Sequence, residues 1–125
     1  MIRIVRSWFP CFRWLTLVCA LAIACLLLFT PGSAVPSGPP GADKVVHFLI
    51  FGMLAVSSRF ARIGERFTLA WVLAFAACSE VIQALWVPRR DGSLLDVLAD
   101  AVGMLMGLWL WQKIRPVHRQ QSASE

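Results

Sequence analysis

A chain of 125 residues has room for one small domain, and 58% of this one is hydrophobic against 15% charged. A water-soluble domain of that size cannot bury so much apolar surface, whereas lipid can cover it. The net charge of +5 raises nucleic acid as a partner, but the arginines stand at the ends of apolar runs and form no basic stripe, so nucleic acid is set aside in favour of a membrane.

Residues 1–11 carry Arg3 and Arg6 and read as a short cytoplasmic segment. The first apolar run is Phe12 to Thr30. A Pro/Gly/Ser-rich loop follows from Pro31 to Pro40, with Pro36 and Pro39 inside it. The second run, Val45 to Phe60, is short and spans with the help of Asp43, Lys44, Ala61 and Arg62 at the interfaces. A tight turn with Gly64 leads to the third run, Phe67 to Val87. A second turn, Pro88 to Gly92, precedes Ser93-Leu94-Leu95-Asp96, a capping-box pattern that opens the fourth run, Leu94 to Ile114. Pro116 ends it, and a polar cytoplasmic tail occupies 115–125. The first, third and fourth runs are long enough to cross a hydrocarbon core of about 30 Å at about 1.5 Å per residue. The fold expected is all-α: a polytopic membrane domain of four transmembrane helices over residues 12–114.

Orientation follows from the cations. Arg3, Arg6, Arg13, Arg59, Arg62, Arg66, Lys113, Arg115 and Arg119 lie on one side, nine in all, and Lys44, Arg89 and Arg90 make three on the other. The positive-inside rule then puts both termini in the cytoplasm. A competing reading takes the first run, ending at Gly32-Ser33-Ala34, as a cleavable signal peptide; the remaining helices keep their orientation in that case. Cys11, Cys19, Cys25 and Cys78 form no C-x-x-C pair and read as small apolar fillers, so neither disulfide nor zinc ligation is expected.

Ionisable groups inside spans usually face a bundle interior or a wet cavity. Here Asp43, His47, Glu80, Gln83, Asp96 and Asp100 all fall in the outer halves of their helices. Glu80 and Asp100 come out roughly 10 Å below the outer helix ends, and His47, Gln83 and Asp96 roughly 5–6 Å, which predicts two polar layers. Asp43 and His47 are four apart, Glu80 and Gln83 three apart, and Asp96, Asp100, Gly103 and Gly107 share one stripe. Converging stripes would form an outward-open polar pocket with Arg89 and Arg90 at its rim. A plainer account stands beside several of these residues. Asp43 and Asp96 can be helix caps, His47 an interhelical hydrogen bond, and Arg89 and Arg90 lipid-phosphate contacts. Gly103-x-x-x-Gly107 is a close-packing pattern, and it also offers a face for a second copy of the chain. Glu80 and Asp100 lie too deep for capping on this count, so at least one is expected to be protonated, paired with an arginine or holding a cation.

Asp43-Lys44-x-x-His47-Phe48, Ser79-Glu80-x-x-Gln83, and Arg89 or Arg90 followed by Asp96, Asp100 and Gly103 resemble three ordered motifs of the VanZ-like family of small bacterial membrane proteins. The resemblance covers residues 43–107 and extends to the four-helix layout. It departs at Asp100, where the family usually has Asn, so the charge state of the pocket does not transfer. The resemblance implies a bacterial cytoplasmic (inner) membrane protein, and the family's founding member lowers susceptibility to the glycopeptide antibiotic teicoplanin.

Three functions are compatible with these residues. The first is a protein with an outward pocket that binds or modifies an outer-leaflet lipid, a lipid-linked cell-wall precursor or a glycopeptide, affecting envelope and antibiotic susceptibility. Asp43, Lys44, His47, Glu80, Gln83, Arg89, Arg90, Asp96 and Asp100 would line it, with arginine's planar fork on phosphate or carboxylate. The second is an enzyme on the same ligands, with His47 as base and Glu80 or Asp100 as acid. One histidine and three carboxylates could also hold a divalent metal there, but no metal-ligand spacing or cofactor signature is readable, so none is assigned. The third is a structural or assembly protein in which the polar cluster joins helices. An ion pathway is disfavoured by the apolar inner half of each helix.

Overall fold

The computed structural model describes residues 2–114, with side chains from residue 9 onward. Four helices follow one another: α1 (Ile2–Phe29), α2 (Ala42–Phe60), α3 (Glu65–Trp86) and α4 (Leu94–Ile114). A short 3-10 turn, Gly32–Ala34, lies in the first loop, and no strand occurs among the described residues. Three helical stretches are long and apolar enough to cross a membrane: Phe9–Phe29, Glu65–Trp86 and Leu94–Ile114. The fourth helix, α2, carries Asp43, Lys44 and Arg59 and is more polar. α1 extends back through Pro10 to Ile2, well before the apolar run begins. The polar tail with Arg115, Pro116 and Arg119 lies outside the described residues, as do the side chains of Arg3 and Arg6.

The helices alternate in direction. Phe60, at the end of α2, meets Phe12 near the start of α1 and Trp111 near the end of α4, each with ring centroids 6.2 Å apart. At the opposite end Gln83 of α3 reaches Leu28 of α1, and Lys44 of α2 reaches Asp96 of α4. This arrangement makes α2 and α4 parallel neighbours.

α2 occupies the middle and touches each of the other three helices. Leu17, Ala20, Ala24 and Leu28 form one buried stripe of α1 at helical spacing. Ala20, Ala24 and Leu28 meet Ile50, Phe51, Leu54 and Ala55 of α2, Val72 and Ala76 of α3, and Met104 and Leu108 of α4. Phe51 and Phe75 add a tilted ring pair at 5.9 Å. The outward faces are apolar as well: Leu26, Leu49, Leu85, Leu98, Leu105 and Trp109 are among many large side chains left exposed. A surface this apolar is tolerable against lipid and not against water.

Where the surroundings are as apolar as the core, helices associate by close packing rather than by expulsion of water. Gly103 and Gly107 supply that packing between α4 and α2. A Cβ at Gly103 would collide with the Phe48 carbonyl, and one at Gly107 would stand 2.5 Å from the Gly52 carbonyl oxygen. This stripe was also an expected face for a second copy of the chain. α2 of the same chain already covers it, with both glycines buried, so it is not free for that use.

α2 ends in a Schellman motif. Ile63 N–H bonds to the Ser58 carbonyl (3.1 Å) and Arg62 N–H to that of Arg59 (3.0 Å). The left-handed residue this requires is Arg62 (φ 66°), not the nearby Gly64, whose φ is −59°.

Gly103→Ala is expected to separate α2 from α4 and to destabilise the fold by about 1–3 kcal/mol, the usual range for overpacking. Thermal unfolding in detergent checks this, with Ala101→Gly, on the partly exposed side of α4, as the comparison.

Candidate functional site

The chemistry-bearing residues gather at the end of the bundle that holds the α1–α2 and α3–α4 loops. These loops bind one another. Gly32 N–H donates to the Pro88 carbonyl (3.1 Å), and a Cβ at Gly32 would strike the Arg89 carbonyl. Gly41, in the left-handed conformation (φ 84°), then turns the chain into α2. In the second loop Arg89 also takes a positive φ, 58°, so the chain doubles back over the last turns of α3. A Cβ at Gly92 would lie 3.1 Å from the Glu80 carbonyl oxygen.

That return explains Glu80. Its Oε2 accepts the backbone N–H of Ser93, at the start of α4, at 2.8 Å. In a capping box the acid three residues into the helix would take this N–H. Here Glu80 takes it from the neighbouring helix, and Asp96 is left for Lys44 Nζ at 3.4 Å. The expectation that Glu80 lies too deep to cap a helix is therefore wrong, because the loop descends to meet it.

Beneath this cap, His47 Nδ1 and Asp100 Oδ1 share a hydrogen bond of 2.8 Å, and Glu80 Oε1 stands 3.7 Å from the same nitrogen. The parallel contact of α2 and α4 creates the pairing: Lys44 meets Asp96, and one turn further His47 meets Asp100. His47, Glu80, Asp96 and Asp100 are all buried, at 2%, 6%, 6% and 0% exposure, values low enough to deny their charges bulk water. The two polar layers expected from helical rise are thus drawn differently, because His47, expected beside Asp96 and Gln83, joins the deeper pair instead. Lys44–Asp96 is an outer pair, and His47, Glu80 and Asp100 form one inner cluster.

Gln83 and Arg90 do other work. Gln83 Nε2 donates to the Leu28 carbonyl (2.8 Å), and Arg90 donates to the carbonyls of Thr30 (3.3 Å) and Leu27 (3.2 Å). Leu27 and Leu28 belong to the last turn of α1 and Thr30 follows it directly, where carbonyls have no partner within the helix. Asp43 is exposed and pairs with Lys44 (3.2 Å), and Arg89 is exposed and outside the cluster.

Beside the cluster lies an open cleft of about 680 Å³. Leu27, Leu28, Val35 and Val46 give it apolar walls, and Thr30, Asp43, His47 and Arg90 supply polar groups. Its walls come from α1, α2 and the first loop, with Arg90 added from the second.

A polar contact at the other end escaped the sequence reading. Ser58 Oγ and Thr68 Oγ1 share a hydrogen bond of 2.8 Å, and Trp71 Nε1–H donates to Ser58 Oγ at 3.0 Å. The adjacent hydroxyls Ser57-Ser58 within an apolar run were the available signal.

Residues 3–115 match the family described as VanZ/LLP1. No curated protein and no solved structure matches the chain. The match covers most of the 125 residues, and the chain belongs to the VanZ/LLP1 family.

Gln83→Leu keeps the volume of the side chain and leaves the Leu28 carbonyl without its donor. Unfolding in detergent is expected to become easier by about 1–3 kcal/mol, the penalty for an orphaned buried acceptor. An unchanged melting temperature would mean that the Gln83 amide contributes nothing to holding α1.

Proposed function

We propose that this chain is a four-span protein of the bacterial cytoplasmic membrane, with both termini inside, that binds an anionic, lipid-like ligand of the outer leaflet in the cleft between α1 and α2. The cleft itself carries this reading. Its apolar walls suit an acyl or isoprenoid chain, and Arg90 on its lining suits a phosphate or carboxylate. Arg90 spends two of its five N–H donors on the carbonyls of Leu27 in α1 and Thr30 just after it, which fixes the guanidinium and leaves donors for a ligand.

The distribution of cations supports the orientation. Arg13, Arg59, Arg62, Arg66 and Lys113 stand at the end of the bundle opposite the cluster, and Lys44, Arg89 and Arg90 at the end that holds it. The short α2 spans because its first turn, with Asp43 and Lys44, reaches the outer interface. A lipid-linked wall precursor or a glycopeptide in the cleft would connect the protein to envelope and antibiotic susceptibility.

Two measurements test this reading. In a cysteine-free background, Ser37→Cys is expected to react with a membrane-impermeant maleimide in intact cells, and Gly64→Cys only after lysis; the reverse pattern would invert the orientation. Val46→Trp fills the cleft from an exposed position on α2 and leaves every residue of the cluster unsubstituted. Native mass spectrometry is expected to show phosphatidic acid retained over phosphatidylcholine by the natural chain, and retained at least about tenfold less by the variant, a loss of about 1.4 kcal/mol. Equal retention of both lipids, or by both proteins, would remove the cleft as a ligand site.

A further inference from the structure

The inner cluster has more acceptors than donors. Glu80 Oε1 and Asp100 Oδ2 are buried and accept no hydrogen bond among the described residues. Asp96 Oδ1 accepts none either, although Lys44 Nζ lies 3.4 Å away. His47 Nδ1 carries at most one proton, and Asp100 Oδ1 takes it. Glu80, Asp96 and Asp100 are therefore left with one imidazole and a lysine that also pairs with Asp43, inside a bundle where an unpaired charge is expensive.

The same atoms have the spacing of a ligand set. One ligand atom from each of His47, Glu80 and Asp100 lies within 4.8 Å of the other two. Around Zn²⁺, with bonds of about 2.0–2.2 Å, tetrahedral neighbours stand about 3.4 Å apart. The separations from His47 Nδ1, 2.8 Å to Asp100 Oδ1 and 3.7 Å to Glu80 Oε1, lie on either side of that value. The ligands come from three different helices, α2, α3 and α4, and each is already oriented by its surroundings. Ser93 N–H holds Glu80 Oε2 at 2.8 Å, which turns Oε1 toward His47. Supporting contacts of this kind accompany metal ligands generally.

We propose that His47 Nδ1, Glu80 and Asp100 bind one first-row divalent cation of the Zn²⁺ type. The imidazole favours such an ion over Mg²⁺ or Ca²⁺, which prefer all-oxygen sites. On binding, Nδ1 gives up its proton, both carboxylates are neutralised, and three protein ligands leave a further coordination position. The site stands whether or not a ligand enters the cleft.

The test uses the full chain, purified in detergent without a histidine tag and stripped with a chelator. Titration with Co²⁺ is expected to saturate at one ion per chain, give the visible bands of nitrogen–oxygen ligation, and reverse with equimolar Zn²⁺. Glu80→Gln and Asp100→Asn keep side-chain shape. Each is expected to weaken binding by more than the about 10–100-fold that loss of a supporting partner costs. Glu65→Gln, at the far end of α3, is expected to bind like the natural chain. Three results would overturn the proposal: no stoichiometric uptake by natural protein that elutes as a single folded species, unchanged affinity in both variants, or the intense charge-transfer bands of thiolate ligation. The first and third need no variant to fold.

Discussion

The contact between α2 and α4 through Gly52, Gly103 and Gly107 sets the distance on which everything at the polar end depends. A side chain at Gly103 would meet the Phe48 carbonyl, so only glycine lets the two backbones lie so close. Because the helices are parallel, their residues meet in ascending order: Lys44 with Asp96, His47 with Asp100, then the glycine-packed turns. A His47–Asp100 hydrogen bond of 2.8 Å is a consequence of that approach. Widening the interface by one methyl group would act on the cluster as surely as a change within it.

The second constraint is that backbone groups at membrane depth must find partners inside the protein. Several polar residues are spent on it. Gln83 and Arg90 serve the end of α1, Thr30 Oγ1 bonds to the Leu26 carbonyl, and Glu80 serves the start of α4. What remains after these commitments is small and well defined: one oxygen of Glu80, one of Asp100, one of Asp96, and the imidazole between them. A polar residue inside a membrane bundle says little until its structural obligations have been subtracted.

Much of the fold was legible because apolar runs end where the chain supplies a breaker or a charge. α4 begins after Ser93 and runs to Ile114 as the run predicts, and α2 and α3 begin within a few residues of theirs. The stripe of Asp96, Asp100, Gly103 and Gly107 was legible too, since helical periodicity alone puts those residues on one face. The partner of Glu80 was not. It depends on how the loop folds back after Arg89, and no local pattern encodes that descent. Nor could residue type separate Gln83, which holds a neighbouring helix, from a residue that lines a pocket. The Ser58–Thr68–Trp71 contact was hidden for a related reason. A hydroxyl in a helix can equally bond to its own backbone, as Thr16 does to the Phe12 carbonyl.

The Schellman turn after α2 carries an arginine where glycine would be comfortable. A left-handed conformation costs a residue with a side chain about 1–2 kcal/mol, and Gly64 stands only two positions further on. Arg62 is nonetheless the residue that bends the chain, beside Arg59 and Arg66. On the orientation proposed above, this cation counts before any helix has packed, while the insertion machinery is deciding which loop to keep. On that orientation the folded turn, which would favour glycine, and the nascent chain, which would favour a cation, would make opposite demands on position 62.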